Sequence, residues 1–194
     1  MIQSGRSRYW KLGMVSYLVM GGAISSLGDC ALAQIIPDTT LGNENSTVTS
    51  TGALDQIDGG ATRGANLFHS FQEFNIGNGR SALFSNPPGI ENILSRVTGA
   101  NPSNILGMLG VSGGNANLFL INPNGIIFGQ NASLNVGGSF VASTANAVQF
   151  GNIGFFSATD KNIPSPLLTI NPSALLFNQI NQNAGIQNNS VAPA

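Results

Sequence analysis

Asn117-Leu118-Phe119-Leu120-Ile121-Asn122-Pro123-Asn124-Gly125-Ile126-Ile127-Phe128 is the stretch whose reading decides the fold. Its two apolar runs are too short for helices and rich in β-branched and aromatic residues, so they read as buried strands joined by a tight turn. Asn122, Pro123, Asn124 and Gly125 occupy the four positions of a type I turn with residues that turn prefers. Pro123 sets its own φ and pushes Asn122 to an extended backbone, while Gly125 tolerates the left-handed region that follows. One such turn is common. Its recurrence carries the information.

Asn-Pro occurs at 86, 101, 122 and 171. Residues 121–128 share a longer frame with Ile170-Asn171-Pro172-Ser173-Ala174-Leu175-Leu176-Phe177, at an offset of 171 − 122 = 49 residues. Between these copies, short runs such as Ala82-Leu83-Phe84 and Ile93-Leu94-Ser95-Arg96-Val97 are punctuated by Asn/Gly/Pro turns and show no helix-length period. The pattern predicts an all-β chain, a right-handed parallel β-helix with capping strands, with a β-sandwich as runner-up. Taking the offset as about two coils predicts six or seven coils after the leader, about 30 Å at roughly 4.8 Å per layer. Residues 34–51, polar with scattered Ile35, Ile36, Leu41 and Val48, read as short strands capping the first layer.

Residues 1–33 read as a cleavable signal peptide. Arg6, Arg8 and Lys11 make a basic start, residues 12–27 are apolar and uncharged, and Ala31-Leu32-Ala33 supplies the small-x-small signature for cleavage before Gln34. The apolar part is short for a membrane anchor. Cys30 raises a lipoprotein alternative, which Asp29 before it fits poorly.

The only Tyr, Trp and Cys residues (Tyr9, Trp10, Tyr17, Cys30) lie in that leader. Residues 34–194 have Phe as their sole aromatic, four basic residues (Arg63, Arg80, Arg96, Lys161) and seven scattered acidic ones. No basic patch is present to meet phosphates, which excludes a nucleic-acid binder, and no disulfide scaffold is possible. Asp55-Gln56-Ile57-Asp58-Gly59-Gly60 reads as a solvated turn, since the further oxygen ligands of a calcium loop are missing. His69, the one histidine, has no second ligand and no Ser–carboxylate partners in pattern, and reads as a hydrogen-bonded structural residue. Around it, Leu67, Phe71 and Phe74 would line a helix face with Phe68 beside it, while Phe74 and Ile76 alternate as in a strand. Periodicity leaves both open.

In this order, these segments resemble the amino-terminal secretion domain of the filamentous-haemagglutinin family (two-partner secretion, haemagglutination activity). The resemblance runs from about residue 34 to 149. It rests on Asn122-Pro123-Asn124-Gly125-Ile126, on Arg63-Gly64-Ala65-Asn66-Leu67-Phe68-His69-Ser70-Phe71 with Phe74, and on Ser95-Arg96-Val97-Thr98-Gly99. Where that family has an earlier Asn-Pro-Asn-Leu motif, this chain offers only Asn115-Ala116-Asn117-Leu118. The resemblance implies a two-partner secretion β-helix domain over residues 34–160, with residues 161–194 a continuation of the β-helix or an Asn/Gln-rich tail. It also implies an outer-membrane β-barrel transporter as partner, passage of the unfolded chain, folding nucleated outside the cell, and neither cofactor nor catalysis. Adhesin-type members add host-cell or surface glycans as partners, through downstream repeats. The 122–126 motif would serve as a transporter-recognition surface or as a coil corner. Two other readings differ in class: a stand-alone surface or periplasmic β-solenoid binding protein, and a polysaccharide-acting β-helix enzyme. Scattered carboxylates and the loss of Trp and Tyr with the leader count against the enzyme.

Overall fold

The computed structural model describes Met1 and residues 34–179 and 181–192; the leader reading, with Ala31 and Ala33 of its cleavage site, lies outside the described residues. Every regular element among them is a strand. In chain order they are β1 (Ile35–Pro37), β2 (Ser46–Thr51), β3 (Leu54–Gly59), β4 (Ala61–Arg63), β5 (Asn66–Phe74) and β6 (Ser81–Ser85). Next come β7 (Asn92–Val97), β8 (Ser103–Ile105), β9 (Met108–Ser112), β10 (Asn117–Ile121), β11 (Ile126–Phe128) and β12 (Ser133–Asn135). The last are β13 (Phe140–Ser143), β14 (Ala147–Phe150), β15 (Gly154–Ser157), β16 (Ala174–Leu176) and β17 (Ile186–Asn188).

The chain visits three parallel sheets in rotation. Sheet B stacks β3, β6, β9 and β12; sheet A stacks β5, β7, β10 and β13; sheet C stacks β8, β11 and β17, with Ile76 bridging to Ile105 where the first coil passes that face. Register partners on sheet B (Leu54, Ser81, Met108, Ser133) fall one coil apart. This is a parallel β-helix of about three turns. The cap expected over residues 34–51 is present: β1 lies antiparallel on β5 and β2 antiparallel on β3, closing the first coil's edges.

Two expectations fail. Six or seven coils are not built, because much of the chain forms the antiparallel cap and a fourth sheet, D, in which β14 lies antiparallel between β15 and β16. The second copy of the 121–128 frame falls in β16 there, so its 49-residue offset is no coil period; the same residue types suit any strand–turn–strand passage. Nor is 55–60 a turn. Most of it is β3, with Asp55 buried against Arg80 at 2.6 Å, and only Gly59 and Gly60 carry the positive φ of a bend.

Sheet A is buried on both faces, so the molecule has two apolar cores. The inner one fills the solenoid with Leu67, Phe71, Phe74, Ile93, Val97, Leu118 and Leu120, packed against Phe84 from sheet B. The outer one covers the far face of sheet A: Phe68, Leu94 and Ile121 meet Phe150, Phe156 and Leu168 from the later segment. A bulge explains the helical look of residues 67–74. Against β1, Pro37 pairs with Phe71 and Ile36 with Glu73, leaving Gln72 as the extra residue that returns Phe74 to the inner face.

His69 sits in the inner core, fully buried, with Nδ1 3.0 Å from Ser46 Oγ. Neither its Nε2 nor the Oγ of Ser95, its register neighbour on β7, has a protein partner among the described residues. Burial pushes the His69 pKa down to about 3 from 6.5. The unfolded chain therefore binds the extra proton from about pH 6.5 downward while the fold resists it to about pH 3. Over that window, stability falls by up to about 1.4 kcal/mol per unit of acidification. His69→Leu is expected to abolish this slope and lower the acid-unfolding midpoint. A midpoint unmoved in pH-dependent denaturation would contradict it.

Candidate functional site

Residues 122–126 turn the chain from β10 on sheet A to β11 on sheet C. Gly125 N donates to Asn122 O at 3.1 Å, closing the four-residue turn read from the sequence. Asn122 is fully buried. Its Nδ2 donates to Asn101 O and to Ser103 Oγ, both at 3.0 Å, and its Oδ1 accepts Asn124 N at 2.9 Å. Asn124 Nδ2 donates to Gly99 O at 2.9 Å. Both asparagines thus tie the third coil's corner to the second coil's. Gly125 has φ +117°, and a Cβ there would stand 3.1 Å from Gly185 O. One layer down, Gly99 approaches the Gln72 bulge so closely that a Cβ would lie 2.1 Å from the Gln72 carbonyl oxygen. Ile126 seals the turn in the inner core.

The second motif splits between the cores. Gly64, φ +58°, makes the tight hairpin between β4 and β5. Leu67, Phe71 and Phe74 point inward, and Phe68 points outward, 4.9 Å from Phe156 and 5.6 Å from Phe150. Arg63 forks onto Glu44 at 3.0 and 2.7 Å and donates Nε to Pro164 O. Gln34, on the far side of the expected cleavage point, is exposed.

Two polar arrangements escaped the sequence reading. Asn66, Asn92 and Asn117 stand in register on β5, β7 and β10. Asn92 Nδ2 donates to Asn66 Oδ1 at 2.9 Å and Asn117 Nδ2 to Asn92 Oδ1 at 3.0 Å, while Asn66 Nδ2 reaches the carbonyls of Leu168 and Ile170. The ladder was visible as Asn66-Leu67-Phe68, Asn92-Ile93-Leu94 and Asn117-Leu118-Phe119, the true coil repeat. The partial motif Asn115-Ala116-Asn117-Leu118 accordingly leads into a strand.

The other arrangement surrounds Arg96, fully buried on the outer face of β7. Its guanidinium donates to Ser70 Oγ (2.9 Å), Ser157 O (2.6 Å), Asn162 Oδ1 (3.2 Å) and Thr40 Oγ1 (2.8 Å), and lies 4.3 Å from the Phe156 ring centroid. Thr40, Ser70 and Thr98 donate in turn to the Asp38 carboxylate. Burial pushes the Arg96 pKa down to about 10, an effect the Asp38 charge partly offsets. Burial raises the Asp38 carboxyl, but hydrogen bonds from Thr40, Thr98 and Ser70 outweigh it and hold it below 3.8. Both groups stay charged at neutral pH. The Asp38 contribution is complete above about pH 3.8 and is lost as pH falls below that. A charged residue between Leu94 and Val97 was the signal for this clasp.

Among the described residues no group of three His, Cys, Asp or Glu side chains could hold a metal ion. The TPS secretion domain family matches residues 33–192, which takes in every described strand. The chain is also 37% identical over 73 residues to the heme/hemopexin-binding protein of Haemophilus influenzae. That similarity covers 38% of this chain and 8% of the relative, so the chain spans a small part of that protein's length.

Proposed function

From the premise that the chain belongs to the TPS secretion domain family, we propose that its solenoid is the part of an exported two-partner protein that an outer-membrane β-barrel transporter receives, and that folding is nucleated on it outside the cell. The carrying observation is the family match across residues 33–192. The low-charge composition, with its single cysteine in the leader, supports passage unfolded, and the stacked coils support sequential assembly, each templating the next. The family points to a non-enzymatic secreted protein. In this reading the 122–126 motif is a corner, since its amides are committed to the coil beneath.

The test is secretion of the full chain from a host with an outer membrane, with and without the cognate barrel. Protease-resistant protein released only with the barrel is expected; release regardless of the barrel would sink the proposal. Asn124→Ala removes one short hydrogen bond, to Gly99 O at 2.9 Å, and two long ones at 3.4 and 3.5 Å, and is expected to cost about 1 kcal/mol while leaving barrel-dependent release intact. Loss of release by a chain that still folds when purified would make the motif a recognition surface instead.

An adhesin-type role for the released domain is a second reading. It is favoured by a polar cleft beside the corner. The ligand for which the Haemophilus influenzae relative is named is not carried over, because the similarity covers so little of that protein.

A further inference from the structure

Asn-Gly occurs twice in the chain, as Asn78-Gly79 and as Asn124-Gly125. Such a pair lets the main-chain nitrogen of the glycine attack the asparagine side chain, because no Cβ stands in the way. The fold treats the two copies in opposite ways. At the 122–126 corner, Gly125 N donates to Asn122 O at 3.1 Å, Asn124 N to Asn122 Oδ1 at 2.9 Å and Asn124 Nδ2 to Gly99 O at 2.9 Å. The nucleophile, its peptide plane and the departing amide are all held there.

Asn78-Gly79 is exposed. It fills the middle of a turn over residues 77–80, closed by Arg80 N donating to Gly77 O at 3.1 Å. Gly79 has φ +72°, as the third position of a type II turn requires. Gly79 N and Asn78 Nδ2 make no hydrogen bond among the described residues. Asn78 Oδ1 accepts Asn131 Nδ2 at 2.9 Å, a donor on the oxygen that gathers charge during the attack. A Cβ at Gly79 would meet nothing within 4 Å, so the peptide joining the pair has room to rotate toward the side chain.

We propose that Asn78 is a self-modifying site, whose side-chain amide is lost in the folded protein to give aspartate and isoaspartate. Gly79 N gives up its proton and bonds to Asn78 Cγ; the Cγ–Nδ2 bond breaks, and ammonia leaves carrying that proton. Water then opens the resulting cyclic imide at either carbonyl. Opening on one side gives aspartate; on the other it reroutes the main chain through the side chain as isoaspartate. Nothing is oxidised or reduced, and water is the sole co-reactant.

The two products differ in consequence. Aspartate keeps an acceptor for Asn131 and leaves the turn its length. Isoaspartate adds one carbon to the main chain of the turn that supports the next coil. A Cβ at Gly107 would lie 2.1 Å from Arg80 O and 2.6 Å from Gly77 O, and Met108 N donates to Arg80 O at 2.9 Å. A longer turn presses on that contact and loosens β9 on β6.

The experiment incubates the secreted chain at mildly alkaline pH, native or unfolded in urea, and follows each asparagine by peptide mass mapping. In the native chain Asn78 is expected to convert, and Asn124 at least about tenfold more slowly, since the corner must first open locally. In urea the two should convert at similar rates. Asn78→Gln, which must close a larger ring, should leave the native chain unmodified at this position with its circular dichroism unchanged. Native chain enriched in isoaspartate is expected to unfold at a lower urea concentration than unmodified chain. Equal rates at the two sites in the native chain overturn the proposal. So does an intact Asn78 after the unfolded chain has reacted at both sites. Barrel-dependent release is measured separately, so failure here leaves the secretion reading standing.

Discussion

Arg96→Met is expected to destabilise the folded domain by about 3–5 kcal/mol, the usual result of removing one member of a buried charged network. Methionine preserves much of the apolar stem and its packing on Phe156. What disappears is the donor set. The Ser157 and Asn162 oxygens lose their cationic partner, and Asp38 keeps a charge stabilised only by three hydroxyls and the Thr40 backbone N–H. Because Ser157 and Asn162 belong to the segment that covers sheet A, the loss should fall first on that cover. Urea denaturation of the secreted chain measures the total, and hydrogen exchange shows whether β14 and β15 open before β7 and β10. A loss under about 1 kcal/mol would mean that the guanidinium contributes little beyond its packing.

Asn122→Ala comes next, at about 3 kcal/mol or more. Two donations and two acceptances, one of them long at 3.4 Å, end together at a fully buried position, leaving Asn101 O, Ser103 Oγ and Asn124 N without that partner. The comparison with Asn124→Ala separates this effect from any role in recognition. Asn124 is only partly buried and spends one amide hydrogen bond on the coil below. If the motif is a corner, the two variants should rank by lost stability, Asn122 well ahead, and release should follow stability. Equal loss of release from both, at unequal stability, would contradict the corner role.

The solenoid was legible because its evidence is local. Asn122-Pro123-Asn124-Gly125 specifies a corner through turn chemistry alone, and the short apolar runs around it have room only for strands. Coil number was not legible, because turn chemistry carries no phase. Residues 170–177 satisfy the same frame while pairing antiparallel in sheet D. Phase resided instead in Asn66, Asn92 and Asn117, whose amides must stack, and in the apolar pairs that follow them. The double burial of sheet A was hidden for a related reason. A strand such as β7, apolar on both faces, looks the same whether its outer side meets a second core or another sheet. The Gln72 bulge imitated a helical period over residues 67–74, since one inserted residue turns a spacing of two into three.

The outer cover has a consequence for timing. Asn66 donates to the carbonyl of Ile170, a closure spanning 104 residues. In the proposed delivery of an unfolded chain, whichever end emerges first, the apolar flank formed by Phe68, Leu94 and Ile121 would stay wet until both distant segments are out together. A half-delivered chain can stack coils but cannot finish them, so the last increment of stability arrives only near the end of delivery. On that proposal, completion of the fold would act as a ratchet pawl, which drops once most of the domain is through and opposes any backward slip.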